Sequence, residues 1–415
     1  MKKLIGTAML AALLATSAFA EVSVGAWLRV LAAPVAGNGD DIVSGMTNSW
    51  GWGARVARAD IRGTSEDEKA GFSMQIFNDV SGIARGDEAV LWVKPWDFLK
   101  VSLGNYDYTT FRGDLCFGSW DWIRPQNWFQ DDEGLTFDKL GAKTGLHLEL
   151  TPVEGLLIMW NLPIGNWGEA YKMFEQQDVA AKYTIGDIGT IKAGWGGQGT
   201  RKTVTKATDV KKADVISDID GNKFYMDDKG NLQSVNDAVT SDDKYWGDVN
   251  VAFDLTAVEN LYLTVGAKIS IADSDYKKGL EKDFAFLKVA AGASYQILDN
   301  LKVAASFGVQ TYENNDPSFQ FGVGVDVGLT DSLTLNVDFR GLFIGDDAAG
   351  NSTDPSFSFM AGLKYACSSN GYVGIGFQGS TNGCGFLHDG EQSALAASKA
   401  DSFCWAVPIA VSVLF

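Results

Sequence analysis

The sequence predicts an all-β fold: a transmembrane antiparallel up-and-down β-barrel of about eighteen strands, with sixteen as the alternative. Three observations carry that expectation. Apolar and polar residues alternate with period two along almost the whole chain. The connections between the alternating segments switch between tight and long. The chain is also 46% hydrophobic at a mean hydropathy of -0.03, yet beyond residue 20 no segment approaches the ~20 consecutive apolar residues of a membrane helix. Alternate residues facing lipid and water produce that combination.

Composition narrows the alternatives. The 415 residues hold 34 Lys and Arg against 52 Asp and Glu, a formal charge of -18. An acidic chain of this kind is a poor partner for nucleic acid, which needs a basic face. Two histidines (His147, His388) and four scattered cysteines (Cys116, Cys367, Cys384, Cys404) exclude the usual zinc frameworks. No metal and no cofactor is therefore expected. An aromatic content of 12% excludes an intrinsically disordered chain.

Residues 1–20 read as a cleaved signal peptide and 21–415 as one barrel domain. Lys2 and Lys3 precede a short apolar stretch from Leu4 to Ala15, and Ala18-Phe19-Ala20 offers small residues for cleavage. Without the two lysines the formal charge moves from -18 to -20. Export to an oxidising compartment suits the cysteines. Cys384 and Cys404 are placed to staple the last long connection to its strand, whereas Cys367 falls at the opposite end.

The first strand is expected over Val22 to Leu31. Later strands alternate cleanly: Leu261, Leu263, Val265, Ala267, Ile269 and Ile271 face one way, against Tyr262, Thr264, Gly266, Lys268 and Ser270. The segments 301–309, 319–327, 333–343 and 357–365 repeat the pattern. Segments of ~9–11 residues suit a tilted strand crossing a bilayer. The tight connections are 66–69, 95–97, 151–154, 186–189, 257–260, 298–300, 330–332 and 368–370. The longer ones are 32–48, 80–87, 105–141, 163–177, 197–245, 272–283, 313–317, 345–355 and 380–400. Short periplasmic turns with long outer loops are how bacterial barrels are wired. A barrel of this strand number encloses an aqueous channel.

The last fourteen residues, Ser402 to Phe415, put Phe403, Trp405, Val407, Ile409, Val411, Val413 and Phe415 on one face. Pro408 interrupts the ladder and predicts a bulge in this strand. A final strand ending in Phe resembles those of outer-membrane β-barrel proteins. The resemblance implies that Trp405 and Phe415 form the signal read by the barrel-assembly machinery, with outer-membrane lipid around the barrel. Arg58-Ala59-Asp60-Ile61-Arg62-Gly63 to Glu66-Asp67, followed by Ala70 to Ile76, resembles the early hairpin of general porins. It departs by Asp60, where those porins carry Gly, and by one extra residue before Glu66. The porin constriction motif Pro-Glu-Phe-Gly-Gly is absent. Val93 to Val101 resembles a segment of substrate-specific porins. Together these resemblances imply a bacterial outer-membrane porin, a passive channel for small hydrophilic solutes or ions. A homotrimer is compatible with that class. A surface-exposed structural or adhesive barrel with a loop-blocked lumen is the alternative, and a secreted soluble β protein is a third.

Phase places Arg29, Arg55, Arg58, Arg62, Lys94 and Lys100 inward, with a slip near Val56 and Ala57. Asp131, Asp132 and Glu133 mark the acidic connection 105–141. If that connection enters the pore as in general porins, the resemblance implies a transverse field, and charged rings tune ion preference. Trp27, Trp120, Trp122 and Trp128 are candidate solute contacts of a sugar-selective, maltoporin-like channel. The same residue type also suits an interfacial girdle. No enzyme is expected. His147 shares the lumen face with Gly145 and Glu149, no G-x-S-x-G motif occurs, and His388 has no partner in sight. The charged stretch 197–245 is an expected surface loop.

Overall fold

A computed structural model describes residues 21–37, 42–47, 57–79, 82–106, 111, 144–164, 172–200, 215–217, 223–226, 232–234, 245–272, 277, 284–381 and 403–415. The strands run β1 (Glu21–Gly37), β2 (Ile42–Thr47), β3 (Ala57–Thr64), β4 (Ala70–Asp79), β5 (Gly82–Trp96), β6 (Leu99–Asn105), β7 (Thr144–Leu150) and β8 (Leu156–Pro163). After the one-turn helix α1 (Lys172–Glu175) come β9 (Asp178–Ile185) and β10 (Gly189–Thr200). A small separate sheet follows: β11 (Val215–Ser217), β12 (Lys223–Met226) and β13 (Leu232–Ser234). The wall then resumes with β14 (Tyr245–Leu255), β15 (Leu261–Ala272), β16 (Ala285–Leu298), β17 (Leu301–Tyr312) and β18 (Ser318–Thr330). It ends with β19 (Leu333–Phe343), β20 (Ser356–Ser368), β21 (Gly371–Ser380) and β22 (Cys404–Leu414).

Every wall strand pairs antiparallel with its neighbour in the chain, and β22 pairs back onto β1. The result is a closed barrel of eighteen strands, in which β2 and β3 together make the second strand beside β1. Closure leaves no open edge, so no row of unpaired backbone groups meets lipid. The seam is fixed at the last residue: Phe415 N–H donates to Ala26 O at 2.8 Å and Ala26 N–H donates to Phe415 O at 3.2 Å.

Alternation behaves as the sequence predicts. On β14, Asp248, Asn250 and Asp254 are buried inside, while Val251 on the other face is exposed. On β15, Val265, Ile269 and Ile271 are exposed and Thr264 is buried. The outward face of β17–β22 carries a run of stacked rings, including Phe319 on Phe343 at 4.6 Å and Phe377 on Trp405 at 6.3 Å. Such offset contacts add to area burial.

Three expectations need correction. The stretch 32–48 is not a long connection: β1 continues to Gly37 and pairs with β2 as a hairpin. Likewise 80–87 is a tight connection, because β5 already starts at Gly82 and pairs with Asp79. The irregularity expected at Pro408 falls on its partner: β1 shifts register between Ala32 and Val35, opposite Ile409 and Val407. Pro34 lies in that shift. With neither proline able to donate, the bulge forms where two of them meet. Of the slip expected near Val56 and Ala57, Val56 lies outside the described residues. In the second strand, β1 pairs Leu31 with Thr47 but Leu28 with Ala57.

Candidate pore and its lumen charges

The inward face is built from the turn end upward. Ser65 to Lys69 closes β3 onto β4: the Ser65 hydroxyl donates to Asp67 Oδ1 at 2.7 Å and the Lys69 N–H donates to the same atom at 3.1 Å. These bonds hold the Asp67 carboxyl below its usual pKa, with the Ser65 hydroxyl the larger cause. Lys69 Nζ reaches across to Asp97 in the next turn, and lowers that carboxyl too. Glycine at 63 has a packing reason: a Cβ there would meet the Phe72 ring at 2.4 Å.

The predicted basic residues gather on β3, β5 and β6. Arg58 pairs in register with Phe77, lies 4.9 Å from the Trp27 ring and bonds Asp60 at 3.0 Å. Trp27 faces inward, as phase predicts, and its Nε1–H donates to Ser412 Oγ at 3.1 Å. Arg62 sits four positions nearer the turns than Arg58 on the same face, exposed to the lumen. Lys94 and Lys100 place their ammonium groups 5.4 and 5.7 Å from the ring centroid of Trp92. Lys100 also bonds Glu149 at 3.1 Å. The structure thus brings Trp27, Arg58, Arg62, Lys94 and Lys100 onto one sector of the wall. Arg29 holds a register position opposite Ser412, with its side chain outside the description. Arg55, Trp120, Trp122, Trp128, Asp131, Asp132 and Glu133 lie outside the described residues.

Of the 105–141 connection, Asn105, Tyr106 and Phe111 are described, and Phe111 lies inside the barrel. Phe111 is 1% exposed and packs with Met159 and Ala180, against Leu157 and Ala252. These belong to the lumen faces of β8, β9 and β14. Tyr106 is buried beside His147, ring centroids 4.7 Å apart, and its hydroxyl donates to Gly145 O at 3.4 Å. His147 is a lumen residue, with Nε2 3.3 Å from Glu149 Oε1.

Charges that the sequence reading did not single out complete the wall. Lys182 stands directly opposite Lys192, and Lys268 directly opposite Lys288. Like charges opposite one another destabilise a sheet. The strand between these pairs supplies the compensation: Asp254 is 2.5 Å from Lys192 and Asp248 is 3.5 Å from Lys268. Thr264 and Ser270 hydroxyls donate to the same two carboxylates at 2.7 and 2.6 Å. Extending the period-two phase through 178–200, 245–255 and 285–298 would have found Lys182, Lys192, Asp248, Asp254 and Lys288; Lys268 already stood on the polar face of its strand.

The neighbouring sector, on the other side of β1, is closely packed. Ser358, Gln378, Ser380, Cys404 and Ala406 face inward from β20–β22 and have no solvent contact. Ala33, Ala36 and Met360 join Cys404 and Ala406 in an apolar cluster there. Cys367 is exposed near the turns, at the far end from Cys404. Cys116 and Cys384 lie outside the described residues. The interfacial reading fits Trp96 and Phe98, which stack at 5.9 Å at the turn-end rim. It also fits Trp160, on the outer face of β8, whose Nε1–H donates to Gln177.

No protein-family profile matches the chain, and no curated protein matches it in sequence. Solved structures of similar form include outer-membrane proteins. The outer membrane channel DcaP of Acinetobacter baumannii is 10% identical, with 96% of this chain and 99% of that chain covered and a TM-score of 0.49. An anion-selective porin from Comamonas acidovorans is 13% identical over 95% and 99%, with a TM-score of 0.48. OmpT, an outer membrane protein of Vibrio cholerae, is 11% identical over 96% and 100%, with a TM-score of 0.46. At such identities no residue's role carries across.

Proposed function

We propose that this barrel is an outer-membrane porin, a passive, water-filled diffusion channel for small hydrophilic solutes or ions. The reading includes export by a signal peptide at 1–20, assembly through the final strand ending at Phe415, and outer-membrane lipid around the wall. The observation that carries it is the inward face of a closed eighteen-strand barrel. That face is lined by Arg62, Lys94, Lys100, Glu149, Lys192 and Asp254 rather than by an apolar core. Barrels of this size leave a channel. Nothing in the reading calls for chemistry; solutes move down their gradients.

Planar-bilayer conductance of the pure refolded protein is the decisive experiment. Discrete current steps are expected, and their absence would sink the channel reading. The loop-blocked barrel has its own support, because lumen side chains on β20–β22 are sealed from solvent and Phe111 sits inside. A folded barrel with no current would favour it. Neutralising Asp131, Asp132 and Glu133 together is expected to lower the permeability ratio of K⁺ over Cl⁻. An unchanged ratio would remove that connection from the constriction.

A further inference from the structure

The basic sector at the turn end has the features of a binding station rather than a plain charged wall. Arg62 on β3 stands opposite Ser73 on β4, which stands opposite Val90 on β5. Two residues along, Gly71 stands opposite Trp92. The Trp92 ring lies over Gly71: a Cβ at that position would meet the ring at 2.4 Å. Gly71 therefore leaves room for the ring against β4, with the small Ser73 two residues on, opposite Arg62. Two ammonium groups, Lys94 and Lys100, attend that one ring. Cation–π attraction holds each of them there, but the two repel each other. Glu149 offsets Lys100 at 3.1 Å. Neither Arg62 nor Lys94 has an ion-pair partner among the described residues, and both have solvent access. An oxyanion entering this sector meets Arg62 and Lys94, neither ion-paired among the described residues, beside the Trp92 ring.

We propose that Arg62, Lys94 and Lys100, arranged about Trp92, form an anion-binding station at the turn end of the lumen. Its ligands are small solutes bearing phosphate or carboxylate groups. This rests on the channel reading for its role in transport, though binding itself does not require conduction. Guanidinium and ammonium groups bind such oxyanions through charge-assisted hydrogen bonds. The station makes this sector anion-preferring although the whole chain is acidic.

The probe is inorganic pyrophosphate, and the protein is the refolded full barrel, its folding checked by heat-modifiable gel migration. Pyrophosphate is expected to reduce single-channel current. Arg62→Gln with Lys94→Gln is expected to raise the half-blocking concentration about tenfold. Lys302→Gln, which removes a lumen-facing lysine on β17, is the control and is expected to change it less than twofold. Calorimetric titration of pyrophosphate into the same detergent-solubilised proteins gives a readout that needs no current. If the wild type conducts but pyrophosphate neither blocks nor binds, the station is overturned and the channel reading stands. If Lys302→Gln weakens binding as much as the double variant, a diffuse field replaces the local station. If no current flows but binding is lost only in the double variant, the channel reading fails and the station survives.

Discussion

At the scale of single residues, the buried ion pairs of the wall decide more than the exposed ones. Lys192 and Asp254 meet at 2.5 Å with side chains 4% and 11% exposed. Removing the lysine leaves a buried carboxylate without its nearest counter-charge, with the Thr264 hydroxyl and the more distant charge of Lys182 remaining. Lys192→Ala is expected to cost about 3–5 kcal/mol of stability, read from urea unfolding in lipid vesicles; a change below ~1 kcal/mol would show the pair to be solvated. Gly63→Ala drives a methyl group into the Phe72 ring and is expected to cost about 1–3 kcal/mol in the same assay. Asp67 answers to pH. Its carboxyl titrates lower in the folded state than in the unfolded chain, so its contribution is present above the unfolded value and fades as pH falls through the folded one. Asp67→Asn is expected to lower stability slightly at neutral pH and to converge with the wild type below about pH 4, which flattens the acid limb of the profile. An unaltered acid limb would contradict the Ser65 and Lys69 bonding. Asp347, held low by Asn351 in the long connection after β19, follows the same sign.

At the scale of elements, the strands were legible because a half-buried strand writes its two environments into alternate residues. β15, β17, β18 and β20 fall where the period predicts, and the eight tight turns lie within a residue or two of their expected positions. What escaped was any feature set by a neighbour. The extra length of β1 and β5 depends on partners to pair with, β2 and β4, rather than on their own pattern. The bulge expected at Pro408 moved to β1 because two strands share a ladder and either can absorb the extra residue. The connection 105–141 shows the same limit. Its acidic composition could not say whether it stays outside, whereas Phe111 on Met159 and Ala180 places one of its residues in the lumen. Phe111→Ala is expected to raise single-channel conductance by widening that sector, with the gel shift unchanged. A conductance equal to wild type would mean that the ring does not border the conducting path.

At the scale of the whole molecule, composition and architecture now agree. A chain that is 46% hydrophobic with near-zero mean hydropathy divides its residues between a lipid face and a polar lumen. The lumen is not uniform: Arg62, Lys94 and Lys100 on β3–β6 keep solvent access, while Ser358, Gln378, Ser380, Cys404 and Ala406 on β20–β22 have none. Deleting Phe415 removes the two backbone bonds to Ala26 that lock the seam. The truncated chain is expected to lose most of its heat-modifiable form after refolding. Full retention would mean that the β1–β22 ladder closes without them.

By itself, the sequence determined the barrel and the faces of its strands, and narrowed the strand number to eighteen or sixteen, because period two and turn chemistry are local and survive without partners. It could not determine which of the lumen charges neutralise one another, where a bulge settles, or which side of the lumen stays open. Those depend on residues far apart in the chain, such as Lys192 with Asp254, Pro34 beside Pro408, and Phe111 on Ala180. They become neighbours only when eighteen strands close into a ring.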